Sequence, residues 1–116
     1  MKEVIAQGAT RRISRSSRPS YFGLCYQEDR NIIIFEKKNR TPKKMLNTIV
    51  HEELHTVYPE FNEREVRWWT DTIQEKLTLD QKKQYFELYG LEYVEEVEEK
   101  SFIPQPIGEL ALDPGL

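Results

Sequence analysis

The chain holds two histidines, and both fall inside His51-Glu52-Glu53-Leu54-His55. Side chains four residues apart share a face only on a helix, where they stand about 40° apart and one turn above each other. The flanking sequence asks for that helix. Asn39-Arg40-Thr41-Pro42 reads as a loop ending in a helix start, with Thr41 as N-cap and Pro42 at the first position, where its missing N–H costs nothing. From Lys43 to Tyr58, the residues Leu46, Ile49, Val50, Leu54, Val57 and Tyr58 fill one arc of a helix, which Pro59 then closes. A helix is therefore predicted over 42–58. His51 and His55 lie at the border of the apolar arc, half-buried and open on one side, and Glu52 points further from it.

This pentapeptide matches H-E-x-x-H, in which the two histidines hold zinc and the intervening glutamate is the general base. A catalytic zinc takes three protein ligands, and no third histidine exists. The remaining ligand is then a carboxylate or Cys25. Downstream, Phe61-Asn62-Glu63-Arg64-Glu65-Val66 begins a second helix: Asn62 is the N-cap, Glu65 at N3 completes a capping box, and Phe61 and Val66 suit a hydrophobic staple. Periodicity allows either glutamate at the metal. Capping already occupies Glu65, so Glu63 is the preferred ligand.

Val50-His51-Glu52-Glu53-Leu54-His55, Tyr58-Pro59, Asn62-Glu63 and Val66 together resemble the gluzincin class of zinc metallopeptidases. Over roughly residues 20–77 the chain is similar to the smallest members of that class, the minigluzincins, and to small H-E-x-x-H proteins of the kind phage genomes carry. Arg67 stands where the longer E-x-x-x-D signature of thermolysin-like enzymes has aspartate. The resemblance implies peptide hydrolysis with Zn2+ on His51, His55 and Glu63, and with Glu52 as general base toward the attacking water. It also implies an edge strand beside the metal helix that pairs with extended substrate, a part for the 31–37 strand or its partner. In minigluzincins a C-terminal segment can hold the enzyme latent.

At 116 residues the chain suits one domain over residues 1–100 with a Pro- and Gly-containing tail over 101–116. No apolar run reaches membrane length, Met1-Lys2-Glu3-Val4 opens no signal peptide, and the single cysteine forms no internal disulfide. A cytoplasmic, reducing location is expected. Charge is uneven: residues 1–50 hold 11 Lys/Arg against 4 Asp/Glu and residues 51–116 hold 6 against 16, so the parts carry +7 and −10 within a net −3. The basic focus, Arg11 to Arg18, reads as a loop, with phosphate binding or contact with the acidic half as its other uses. This leaves two alternatives to a peptidase: a non-catalytic zinc-stabilised interaction or virion-associated protein, and a nucleic-acid-associated factor using Arg11–Arg18.

The rest reads as a small α+β domain, a short antiparallel sheet or hairpin packed on about three helices. A strand is expected near Val4–Gln7. Two more, Tyr21–Gln27 and Asn31–Lys37, flank an Asp29-Arg30 turn, and helices cover 63–77 and the stretch from the cap Thr78 to the stop Gly90. Trp68 and Trp69 are expected in the core and at its edge, Cys25 as a packed thiol, and Glu95 to Glu99 as a solvated face.

Overall fold

Asn31-Ile32-Ile33-Ile34-Phe35 is the most apolar strand segment, and it forms the centre of the sheet, with Ile32 and Ile34 wholly buried. The computed structural model describes residues 4–95. We label its elements β1 (Thr10–Ser14), β2 (Gly23–Tyr26), β3 (Asn31–Phe35), α1 (Pro42–Val57), α2 (Glu63–Lys76) and α3 (Leu79–Glu87). The sheet order is β1-β3-β2. The hairpin is as expected: β2 runs antiparallel to β3 with Leu24 opposite Ile33, and the turn between them holds Arg30 at φ 53°. That left-handed residue is tied down on both sides, since Arg30 Nε donates to the Gln7 carbonyl at 2.9 Å and Thr10 N donates to the Arg30 carbonyl at 2.9 Å.

The first strand departs from expectation. Val4–Gln7 is not a strand, and the front of the basic segment is one: β1 pairs parallel with β3, Arg11 opposite Ile32 and Ile13 opposite Ile34, making the sheet mixed. The cause lies far along the chain. Val4 and Ala6 are buried without a ladder because side chains satisfy their backbone: Val4 N donates to the Tyr85 hydroxyl at 2.6 Å and Ala6 N to Glu53 Oε1 at 2.8 Å. Arg11 then turns inward to the same Glu53. The possibility of contact with the acidic half is thus realised by one arginine of the basic segment, which is no longer at the surface for phosphates.

The helices keep their predicted starts. Thr41 caps α1 by accepting from Lys44 N, and capping boxes at Asn62/Glu65 and Thr78/Gln81 open α2 and α3. Gly90, at φ 72°, ends α3 in a Schellman motif, with Leu91 N donating to the Phe86 carbonyl and Gly90 N to that of Glu87. α1 is the hub, packed by β2, β3, α2 and α3. Leu46, Ile49, Val50 and Leu54 of α1 meet Val66 and Ile73 of α2 and Tyr85 and Phe86 of α3 in one core. Each such side chain contributes roughly 1.5–3 kcal/mol on burial.

Trp68 is a correction. It is 59 % exposed, while Trp69 packs against the core as expected. Val66, Thr70 and Ile73 set the inner stripe of α2, and Trp68 lies about 200° round from Val66, on the outer side. No helix among the described residues is long and apolar enough to cross a membrane. Most of the Glu95–Glu99 run and the whole 101–116 tail, with the latency it suggested, lie outside the described residues.

Candidate metal centre

The H-E-x-x-H helix does what its spacing asks. His51 and His55 project side by side from α1, ring centroids 4.9 Å apart, each side chain under one-fifth exposed. A tight connection then returns the chain: Tyr58 N bonds the Leu54 carbonyl, Phe61 N bonds the Tyr58 carbonyl, and the Tyr58 and Phe61 rings stack at 4.7 Å. Tyr58 thus packs and does not line the cleft. Asn62 follows as cap of α2 and puts Glu63 at its first position, facing the histidines.

Glu63 bridges both rings. Its Oε2 lies 2.9 Å from His51 Nε2 and its Oε1 3.0 Å from His55 Nε2. Glu65 stays in its capping box, where its carboxylate accepts from Asn62 N at 2.8 Å. One donor atom from each of His51, His55 and Glu63 lies within 4.8 Å of the others, so the three form a group that can hold a metal ion. Two donors at about 2.0–2.1 Å from a tetrahedral ion stand roughly 3.3 Å apart, and each histidine nitrogen lies 2.9–3.0 Å from a Glu63 oxygen. Burial lowers the proton affinity of His51, which favours the neutral, ligating imidazole. Burial also pushes Glu63 upward, but its contacts with the two imidazoles and the nearby Arg67 guanidinium outweigh that, and its pKa lies below the ordinary value.

Glu52 differs from the sequence reading. It does not point away from the packed face but is buried, 7 % exposed, beneath β2. No hydrogen bond or ion pair joins its carboxyl to any described side chain, yet it lines the cleft that holds the three metal-site residues. Burial first, then the charge of Glu63, raise its pKa from 4.5 to about 7. A buried carboxyl without a partner, poised near neutrality and open to a cleft, suits proton transfer better than structure.

Gly23 makes that placement possible, and the sequence reading missed it. A Cβ there would stand 3.1 Å from both Glu52 Cγ and Thr48 Cγ2, and 3.2 Å from Glu52 Oε2. The strand is held against α1 by Asn39, which donates to the Phe22 and Phe35 carbonyls and accepts from Thr48 Oγ1 at 2.6 Å. A lone glycine inside a strand pattern was the available signal, since it marks close backbone approach. Gly23→Ala is expected to cost about 1–3 kcal/mol by overpacking. Urea unfolding checks this, and an unchanged midpoint would mean that β2 does not press on Glu52.

The edge strand beside α1 is β2, the partner of the 31–37 segment. Together β2, α1 and α2 enclose a cleft of about 840 Å³ with the metal-site residues in its wall. Cys25 also lines it, as a packed thiol: its S–H donates to Thr56 Oγ1, which donates on to the Glu52 carbonyl, and burial pushes the thiol pKa up. That is the opposite of an activated nucleophile. The rest of the motif is structural. Glu53 is wholly buried and held by Arg11, Tyr89 and Ala6. Its signal was also present: Glu53 falls in the middle of the apolar arc set by Leu46, Ile49, Val50 and Val57, where a carboxylate must find partners. Comparison with family models, curated proteins and solved structures finds no match to any of them.

Proposed function

We propose that this chain is a zinc-dependent peptidase of gluzincin type, hydrolysing peptide bonds in the cleft between β2 and α2. The observation that carries the reading is the pairing of two things: a His/His/Glu donor group and, one residue into the motif, a buried carboxyl with no hydrogen-bond or ion-pair partner among the described residues, facing the same cleft. Two imidazoles and one carboxylate with solvent access on one side are a donor set typical of catalytic zinc. His51, His55 and Glu63 would hold a zinc ion, which would supply Lewis acidity toward a carbonyl oxygen and the attacking water. Glu52, with a proton affinity near neutral, takes a proton from that water and returns it to the leaving nitrogen. The edge of β2, unpaired among the described residues, aligns an extended peptide by backbone hydrogen bonds. Gly23 keeps that edge within reach of Glu52.

Purified protein is expected to carry one equivalent of zinc, and chelation should stop cleavage of an unfolded protein substrate. Glu63→Ala should release the metal. Glu65→Ala should keep it and lose only about 1 kcal/mol of helix capping. Metal analysis of both variants decides, and metal lost from Glu65→Ala but kept by Glu63→Ala would overturn the ligand set. A second reading rests on Glu63 reaching from α2 to two side chains of α1: the ion fastens two helices in a small domain without turnover. Both readings predict a lower melting temperature after chelation, and they part on Glu52.

A further inference from the structure

We propose that Arg67 recognises a carboxylate of the substrate, lying within one or two residues of the bond that is cleaved. The proposal rests on the peptidase reading above and adds its substrate class. Among the described residues that line the cleft, Arg67 is the one Lys or Arg, against the carboxyl groups of Glu52, Glu63 and Asp71. Outside the metal site, such a wall repels anionic chain ends except beside its cation. Arg67 follows Glu63 by one helical turn on α2, about 6 Å along the axis. An extended peptide advances about 3.3–3.6 Å per residue, so a carboxylate one or two residues from a carbonyl at the donor group comes within reach of the guanidinium.

The guanidinium is oriented but not used up. Its Nε lies 3.3 Å from Glu63 Oε2, while the side chain is 74 % exposed. A guanidinium has five N–H donors in a planar fork, and no other described group takes them at hydrogen-bond distance. Asp71, one turn further along, does not neutralise it: its carboxylate accepts from Asn47 Nδ2 at 3.4 Å and makes no ion pair with Arg67. As a helix-surface pair, Arg67 and Glu63 gain little from each other. Glu63 is already bridged to two imidazoles, and a bound cation would draw on the same oxygens. Facing this charge across α1, β2 and the residues before it bring Tyr21, Phe22 and Leu24 to the cleft, with Tyr21 and Phe22 almost half exposed. The cleft therefore suits a segment with an apolar side chain and a nearby carboxylate, either the chain end or an aspartate.

Three acetylated dipeptides test this with the full chain: Phe-Leu with a free C-terminus, Phe-Leu amide and Phe-Asp amide. Binding is measured by calorimetry to zinc-loaded Glu52→Gln protein, and cleavage with the unaltered chain. The free-carboxylate peptide is expected to bind and be cleaved about ten-fold better than Phe-Leu amide, as for one hydrogen bond to a charged group. Phe-Asp amide matching it points to an acidic side chain, and matching Phe-Leu amide points to the chain end. Arg67→Gln should erase the advantage with zinc content unchanged, and Arg67→Lys should keep part of it. Equal binding of acid and amide overturns the proposal. So does an advantage that survives Arg67→Gln, since the carboxylate then goes to the metal or elsewhere. Arg67-dependent binding without Glu52-dependent cleavage sinks the peptidase reading and keeps the carboxylate site. Cleavage indifferent to Arg67 does the reverse, and no interaction with any of the three peptides removes both.

Discussion

Glu53→Ala is expected to destabilise the domain by about 3–5 kcal/mol, the cost of breaking a buried charge pair from one side. Glu53 is wholly buried, and four donors converge on it. Ala6 N and an Arg11 terminal nitrogen reach Oε1 at 2.8 and 3.0 Å, while Arg11 Nε and the Tyr89 hydroxyl reach Oε2 at 2.6 Å each. Arg11 also donates to the Ala6 carbonyl at 2.7 Å and is only 11 % exposed, so the guanidinium cannot turn to water once its partner is gone. The electrostatics agree in direction. The hydrogen bond to Glu53 raises the Arg11 pKa, and burial followed by the Glu53 charge pushes the Tyr89 hydroxyl up. Stability of a domain is commonly 5–15 kcal/mol in all, so one such loss approaches unfolding. Arg11→Met should cost a similar amount, because it strands the carboxylate instead. The double variant Arg11→Met/Glu53→Leu should recover part of the loss, since apolar groups of like volume owe no desolvation, while Ala6 N and the Tyr89 hydroxyl still lose their acceptor. Urea unfolding of the four proteins measures the coupling, and a Glu53→Ala loss below about 1 kcal/mol would mean that the pair is not formed in solution.

The same carboxylate marks where local reading of the sequence stops. Thr41-Pro42, Asn62 with Glu65, Thr78 with Gln81 and Gly90 act within one turn of themselves, and the structure has each in its expected role. That Glu63 and not Glu65 faces the two histidines was legible for the same reason, because a capping box is local and consumes one of the two. Arg11 and Glu53 are 42 residues apart, and Val4 and Tyr85 are 81 apart. Nothing within a short window of Thr10–Ser14 shows that an inward arginine has a buried acid waiting, so a segment with four arginines read as a loop although its front is a strand. Glu52 was misplaced by a related error. The apolar arc of α1 identifies the side facing the core, but not the flank covered by β2, and that cover depends on Gly23 and Asn39. For Trp68, hydrophobicity outweighed phase: Val66, Thr70 and Ile73 fix the inner line of α2, and the indole falls opposite it.

On the proposed peptidase reading, Glu52→Gln is expected to abolish peptide hydrolysis while strengthening the fold, two effects of opposite sense from one oxygen. Removing a general base typically costs 10²–10⁴-fold in rate. Zinc content should not change, because Glu52 lies outside the His51, His55 and Glu63 donor group. The stability effect follows from linkage. Folding raises the Glu52 pKa from 4.5 to about 7, so the folded state prefers the protonated carboxyl. The resulting penalty is absent below pH 4.5, grows as pH rises, and is complete above about pH 7. A rise of that size corresponds to roughly 3 kcal/mol. Glutamine carries no charge to desolvate, so the metal-free variant should be more stable than the metal-free parent by about that much at pH 8, and equal to it near pH 4. Urea titrations at the two pH values test the sign. A glutamate whose work was structural would show the reverse, since its loss would leave donors unsatisfied, as at Glu53. Natural chains tolerate a destabilising buried charge where function needs it, which makes the stability gain itself an argument for chemistry at Glu52. A zinc-loaded variant that cleaves as fast as its parent would take Glu52 out of the reaction and leave the ion as a clasp between α1 and α2.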